Sequence, residues 1–592
     1  MLDTSIHHHY RMLSMKNIYL LGLLLTLAIP VFSQTNILVT HSLAETILQG
    51  DYAPAAYLPA TIVDDPQLIA AGIAGSVSAD SIQQYLVEMQ AFANRNTASD
   101  TLSEETGMGA ARRWAFRKFQ SFSPRLIPSY LQFDLLACGV LQHRNIFAVL
   151  PGTGPNFRES VLVEAHLDSR CAELCDITCT AQGMDDNGSG SALVLELARV
   201  MSQYTFDRTI VFVLTTGEEQ GLLGAEAFAS YFNAADLPLR AVFNNDIVGG
   251  ITCGMTASPP GCPGLNDIDS TNVRIYSSGN LNSRNKMLAR FVKLEYEEML
   301  GNLLGQPNVI NIMSPEDRSG RGGDHIPFRQ NGYPAVRFTS ANEHGDANAT
   351  APDYLDRQHT TGDVLGVDTN GDEVLDSFFV DFNYLARNAV INGNALAMVA
   401  QGPQPAASFS LTPVDGGFEV AIEDPNNYGT YRVGVRQFNG LDFDTIFTLQ
   451  QPVDTLYGLT PDLLYVVSVA TVDARGVESL FIGERFNDFE TGLATISKAQ
   501  EQLVLLQNRP NPFDEATYFG VLVNEIPDYT QASIQVRDLQ GRLLQELPID
   551  LQLGVNEVIY DFNHHQYQPG VYTYTLVLDD YPLFTKRMMY AY

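Results

Sequence analysis

Between Gln34 and about Ala400 the chain alternates nearly continuous apolar runs with amphipathic stretches, and this narrows the folds open to it more than any other feature. The runs at 145–150, 161–165, 209–214, 240–243, 273–277 and 335–338 are rich in Val, Ile, Leu and Phe, as strands covered on both faces must be. Amphipathic helices are expected between them, most clearly at 189–203 and 283–300, and residues 81–122 read as helices leading into the sheet. The rhythm predicts an α/β domain, a mixed, mostly parallel sheet sandwiched by helices.

At 592 residues there is room for about three to four domains. Composition turns to a linker at Gly402-Pro403-Gln404-Pro405, which closes a first domain at 34–402. Residues 403–490 carry short alternating runs such as Tyr431-Arg432-Val433-Gly434-Val435, with turn signals at the spacing of a small β-sandwich. A linker at 491–502 then leads to a second all-β module at 503–592. At the other end, Arg11 and Lys16 precede an apolar run at 18–32 that is too short to span a bilayer. With the small residue Ser33 it reads as a secretory signal peptide, 1–33, cut before Gln34, and it leaves no transmembrane anchor in the mature chain.

Charge and cysteines agree with export. Lys and Arg total 35 against 68 Asp and Glu, a net charge of −33, which repels phosphate backbones and argues against nucleic acid or an anionic membrane as partner. Secretion or the cell surface, reached through the periplasm, is the expected location. Six cysteines in an oxidising compartment are expected to pair. Cys253 and Cys262 flank a Gly/Pro-rich loop and form the best single pair; the remaining connectivity stays open. Cys171, Cys175 and Cys179 lack a fourth thiol or histidine at zinc-ribbon spacing, so disulfides are favoured there over metal.

Five polar clusters follow the strand candidates: His166-Leu167-Asp168, Gly183-Met184-Asp185-Asp186-Asn187-Gly188, Gly217-Glu218-Glu219, Asn244-Asn245-Asp246 and His359-Thr360-Thr361-Gly362-Asp363. The carboxyl ends of strands line the ligand crevice of open α/β sheets. Carboxylates gathered there repel unless a positive charge lies between them. Histidines mixed with carboxylates, and no phosphate-binding loop, point to zinc or a similar divalent ion.

The ordered set resembles the co-catalytic di-zinc aminopeptidases of the secreted bacterial leucyl type, over roughly residues 80–400. The resemblance implies a zinc exopeptidase fold, two zinc ions per chain, and peptide or protein substrates that lose N-terminal residues. It makes Asp186 the bridging ligand, gives His166 and Asp246 to one ion and Glu219 and His359 to the other, makes Glu218 the general base, and has Asp168 orient His166. Two zinc ions against three carboxylates leave one positive charge to favour ionisation of a water and to stabilise an oxyanion. Two departures stand out: Gly323 precedes Asp324-His325 where the family has Ser, and Gln358 precedes His359 where members often have a nearby Tyr. The first bears on pocket shape; the second leaves the oxyanion donor unassigned, with Tyr354 five residues back. A carboxypeptidase or a one-zinc aminoacyl cyclase on the same fold, or an inactive surface-binding protein, are the rival readings. A serine hydrolase is disfavoured by the lack of a Gly-x-Ser-x-Gly elbow.

Elsewhere, Asp368-Thr369-Asn370-Gly371-Asp372 with Asp376 has calcium-loop spacing, although Glu373 and Phe379 stand where an EF-hand needs Gly and Glu. The pattern around Leu459-Thr460-Pro461 and 465–473 resembles a fibronectin type III domain. Gln507-Asn508-Arg509-Pro510-Asn511-Pro512-Phe513, Gly570-Val571-Tyr572 and Lys586-Arg587 resemble the C-terminal sorting domain of the type IX secretion pathway, which implies that machinery as a partner.

Overall fold

The computed structural model describes residues 34–590 apart from 256–259, 280–281, 319–320, 342–355, 415–416, 438–439, 460–464, 487–501, 514–515, 528, 530, 539–540, 562–569 and 580. The expected signal peptide, most of the 491–502 linker, and Tyr354, Thr460 and Pro461 lie outside the described residues.

A nine-stranded sheet organises the first domain. Its strands are β1 (Thr35–Val39), β2 (Ile127–Ala137), β3 (Val140–Leu150), β4 (Ser160–His166), β5 (Thr209–Thr215), β6 (Leu239–Asn245), β7 (Asn272–Tyr276), β8 (Val309–Ile312) and β9 (Ala335–Ser340). They lie in the order β1-β2-β3-β5-β4-β6-β9-β7-β8. The four central strands β5, β4, β6 and β9 run parallel, in a register that sets His166 beside Thr215 and Asn245 beside Phe338. Antiparallel strands flank them, β3 against β5 and β7 against β9. All seven residues of β4 and of β5 are buried, as the apolar runs require of strands covered twice. One crossover after another thus delivers chain to the same edge of the sheet, beyond the carboxyl ends of β4, β5, β6 and β9.

Helices cover both faces. On one side Leu193 and Leu197 of helix Gly190–Met201 pack with Leu396 of helix Phe382–Gln401 and Leu86 of helix Ala79–Gln90. On the other, Phe228 and Phe232 of helix Leu223–Ala234 meet Phe147 of β3 and Ala44 of helix Ser42–Leu48. Each fully buried Leu or Phe contributes roughly 1.5–3 kcal/mol relative to exposure. Side-chain caps start four of the described helices, at Asp65, Ser78, Ser283 and Asp381; Asp381, for one, accepts the Tyr384 N–H at 2.7 Å. No described helix is long and apolar enough to cross a membrane.

All six cysteines are paired: Cys138–Cys175, Cys171–Cys179 and Cys253–Cys262. The first staples the loop after β4 to the β2–β3 turn, the second closes that loop on itself, and the three fit an oxidising compartment.

Two further units are all-β, each a three-stranded sheet accompanied by a four-stranded one. Strands Thr430–Gln437 and Tyr465–Val472 are central to the first, and Ala532–Arg537 and Gly570–Leu578 to the second. The first unit packs on the α/β domain. Glu484 receives Arg290 from helix Arg284–Glu295 at 2.9 Å and Arg436 from the sandwich at 2.7 Å, all three side chains being buried.

Candidate metal centre

His166 is the last residue of β4. Its Nδ1 lies 3.0 Å from the Asp168 carbonyl oxygen, which can only accept, so Nδ1 carries the proton. The Nε2 lone pair then faces Asp186 Oδ1 at 3.2 Å and Asp246 Oδ1 at 3.4 Å. The sequence leads to a different role for Asp168, with its carboxylate orienting His166. That carboxylate is 3.8 Å from Nδ1, and its oxygens instead accept the backbone N–H of Glu218 and of Glu219, each at 3.3 Å. The main-chain carbonyl of Asp168 orients the ring, and its side chain clamps the Glu218-Glu219 turn that follows β5.

Asp186 sits in the irregular turn Met184–Ser189, where its φ/ψ of −109°/91° departs from a helix. Gly183 opens this turn at φ +55°, and a Cβ there would lie 2.4 Å from Ser169 Cβ, so the position requires glycine. Asp363 holds the turn from outside, accepting the N–H of Asp185 at 2.9 Å and of Asp186 at 3.0 Å. Asp185 is occupied in the same way, taking the N–H of Gly249 and Gly250. It therefore faces backbone, while Asp186 faces the crevice. Asn187 ties the turn to β6 by donating to Asn245 O at 2.8 Å.

The two oxygens of Asp186 divide the cluster. Oδ1 faces His166, while Oδ2 is 3.0 Å from His359 Nε2, which is itself 3.2 Å from Glu219 Oε2. His166, Asp186 and Asp246 form one group whose donor atoms lie within 4.8 Å of one another, and Asp186, Glu219 and His359 form another. Arg337, a charged residue inside the apolar run of β9, forks onto Asp246 Oδ2 at 2.8 and 3.1 Å and leaves Oδ1 for the centre. Gln358 donates to Asp186 Oδ2 at 2.7 Å. Arg170, in the stapled loop, donates to Glu219 Oε2 at 2.8 Å and lies 2.6 Å from His359 Nδ1.

The donor set fits divalent metal. The His166 lone pair aimed at carboxylate oxygens is an acceptor facing acceptors, an arrangement that requires a cation between them, whereas Arg170 donates to His359 Nδ1 and leaves that ring's proton on Nε2, toward Asp186 and Glu219. Glu219 Oε1 is buried with no hydrogen bond, as a ligand oxygen awaiting an ion would be. Without an ion, protons fill this role. Burial opposes charge on the rings, yet Glu218, Asp186 and Asp246 hold His166 well above its usual range, and Glu219 with Asp186 raises His359 to about 9. Asp186 stays well below the carboxylate range: its burial is outweighed by hydrogen bonds from the two histidines. Glu218 is pushed up by its enclosure and by Asp246, Asp324 and Glu219.

Asp324 and His325 stand behind the centre. Asp324 Oδ2 accepts from Thr215 Oγ1, and His325 Nε2 lies 3.1 Å from Glu316 O. A Cβ at Gly323 would lie 2.8 Å from Arg337 Cδ, which accounts for Gly where Ser was expected. At the calcium-like loop, Asp368 accepts the N–H of Asn370, Gly371 and Glu373, and Asp376 that of Thr369. Those exposed oxygens close the loop on itself.

Residues 145–371 match the model of peptidase family M28. A probable zinc metalloprotease of Leptosphaeria maculans is 30% identical over 345 residues, 55% of this chain and 75% of its own length. One from Pyrenophora tritici-repentis is 30% identical over 370 residues, 60% and 79% of the two chains. Among solved structures, the LapA aminopeptidase of Legionella pneumophila is similar over 57% of this chain and 74% of its own, with a TM-score of 0.41 and 17% identity. The glutaminyl cyclase of Porphyromonas gingivalis is similar over 54% and 97%, at 0.36 and 19%. On the extent of its kinship with the zinc metalloproteases, the chain belongs to peptidase family M28.

Proposed function

We propose that residues 34–402 form a secreted aminopeptidase that holds two zinc ions and removes N-terminal residues from peptides. The observation that carries this reading is the division of Asp186, Oδ1 toward His166 and Asp246 and Oδ2 toward His359 and Glu219, which favours two ions over one. Bound there, the ions supply Lewis acidity toward the scissile carbonyl and lower the pKa of water. The chain's own residues do the rest. Glu218 stands beside both groups with its backbone N–H pinned by Asp168; it accepts a proton from the attacking water and returns it to the departing amine. Arg337 and Asp363 fix the geometry of Asp246 and Asp186, so little reorganisation is needed during reaction. The Gln358 amide, which donates to Asp186, directly precedes His359 in the stretch where a Tyr was expected.

Elemental analysis of the purified chain, paired with assays on N-blocked and C-blocked peptides, tests the reading. Two zinc ions and hydrolysis only of peptides with a free amine are expected. Cleavage of N-acetyl peptides from the carboxyl end would make it a carboxypeptidase, and one zinc with glutaminyl cyclisation would make it a cyclase.

The three-plus-four strand arrangement supports reading 403–490 as a fibronectin-like spacer and 503–592 as a sorting module for export through the type IX machinery. Removing 503–592 should then retain the enzyme in the periplasm, whereas undiminished secretion would reject the sorting role.

A further inference from the structure

A cavity of about 350 Å³ opens beside both donor groups. Asp186, Glu218, Glu219 and Asp246 line it, and among the described residues every other charged side chain on its wall, apart from His359, is an arginine: Arg170, Arg318 and Arg321. In a chain with 35 basic residues against 68 acidic ones, that concentration runs against composition. It is also electrostatically costly. Arg318 is 3% exposed and shares Asp317 with Arg337, one carboxylate between two guanidiniums at 2.9 and 3.3 Å. Burial, and then repulsion by Arg337 and Arg321, lowers Arg318 to about 10. Arg321 donates to Gln358 Oε1 at 3.1 Å, and Gln358 in turn donates to Asp186 Oδ2. One amide therefore separates this guanidinium from the oxygen that faces the centre. Two divalent ions would balance the four carboxylates that line the cavity, while Arg170 keeps its contact with Glu219 and Arg318 shares Asp317 with Arg337.

A second hollow of about 320 Å³ meets the first at Asp186 and has a different wall. Ile247, Leu265 and Phe379 give it an apolar part, and Asp356 and Arg357 a charged one.

We propose that Arg170, Arg318 and Arg321 form a subsite for a carboxylate on the part of the substrate that departs, so that the site prefers dipeptides or peptides with an acidic residue just after the cleaved bond. The subsite rests on the two-ion aminopeptidase reading for its orientation. Both sources offer the same planar anion, which suits the guanidinium fork.

The test uses zinc-loaded full-length protein and ligands that cannot be hydrolysed, with CH₂–NH in place of the peptide bond. Isothermal titration compares Leu-Ala isosteres ending in a free carboxylate or in an amide, and a Leu-Asp isostere ending in an amide. The free acid should bind about tenfold more tightly than the neutral amide. A gain for the Leu-Asp amide assigns the subsite to side chains as well as termini, and no gain restricts it to dipeptides. R321Q should collapse the acid-to-amide ratio, with R321K restoring part of it. Equal affinities for acid and neutral amide, or no binding of either, would overturn the subsite. Hydrolysis of Leu-Ala is followed in parallel. Absent turnover with the affinity ratio intact removes the aminopeptidase reading and keeps the subsite; turnover with equal affinities removes only the subsite.

Discussion

Glu218→Gln should lower kcat on a leucyl anilide by about 10³-fold while leaving the zinc content unchanged. The substitution preserves shape. The backbone N–H of residue 218 still meets Asp168, so the turn that presents Glu219 to the second donor group stays in place. What disappears is the proton acceptor. Glu218 lies among Asp246, Asp324 and Glu219, and its enclosure adds to their repulsion, so its carboxylate takes up a proton readily. An amide in the same position cannot do so, and a thousandfold loss corresponds to about 4 kcal/mol of transition-state stabilisation. Because Glu218 belongs to neither group of converging donors, metal analysis should give the wild-type value. Full activity in the variant would remove the general-base role, and loss of an ion would make Glu218 a ligand instead.

The parts of this architecture that are legible in sequence share a physical cause. β4, β5, β6 and β9 are buried on both faces, so their apolar runs are nearly continuous, and the polar residues that follow stand out as strand ends. β2 alternates between buried and half-buried positions, β1 is mostly exposed and β8 spans four residues, so none of them gives an apolar run of that kind. The proposed donors His166, Asp186, Glu219, Asp246 and His359 inherit the clarity of the strands they follow. Their supports do not. Asp363 meets the Asp186 amide across 177 residues, and Arg337 meets Asp246 across 91. Arg337 left a trace in sequence as a lone charge in an apolar run; Asp363 was visible only as the end of the His359 motif. Asp168 shows the limit of spacing arguments: position places it beside His166, but backbone direction decides that its carbonyl rather than its carboxylate meets the ring. Cys253 and Cys262, nine residues apart around one loop, were legible for the same local reason. The Cys138–Cys175 link depends on where the β2–β3 turn lies in the fold.

Glu478→Gln should raise the melting temperature at pH 8 by about 5 °C and change it little near pH 4.5. Glu478 lies in the sandwich, where that unit packs on helix Arg284–Glu295, and it is 5% exposed beside Glu295, which is 6% exposed. Arg432 has an Nη1 3.7 Å from Glu478, but both its Nη groups donate to Glu298, and neither Glu478 oxygen has a hydrogen bond. Burial therefore dominates; Arg432 opposes it and Glu298 reinforces it, and the Glu478 carboxyl is pushed up to about 8. Glu295 is raised as well, by its burial and by Glu478 and Glu298. A folded-state pKa above the unfolded one means that the native protein holds the extra proton between about pH 4.5 and pH 8. Stability is then greatest at the acid end of that window, falls as pH rises through it, and levels off above the folded pKa. Glutamine stays neutral throughout, so the variant avoids a penalty on the order of 3 kcal/mol at the alkaline end. Scanning calorimetry at the two pH values decides the matter. A variant less stable at pH 8 would mean that Glu478 is ionised and held by Arg432, in which case this contact would strengthen with alkalinity and the sandwich would be clamped by charge. A more stable variant means that the two units meet through a neutral carboxyl, and that acid tightens their contact.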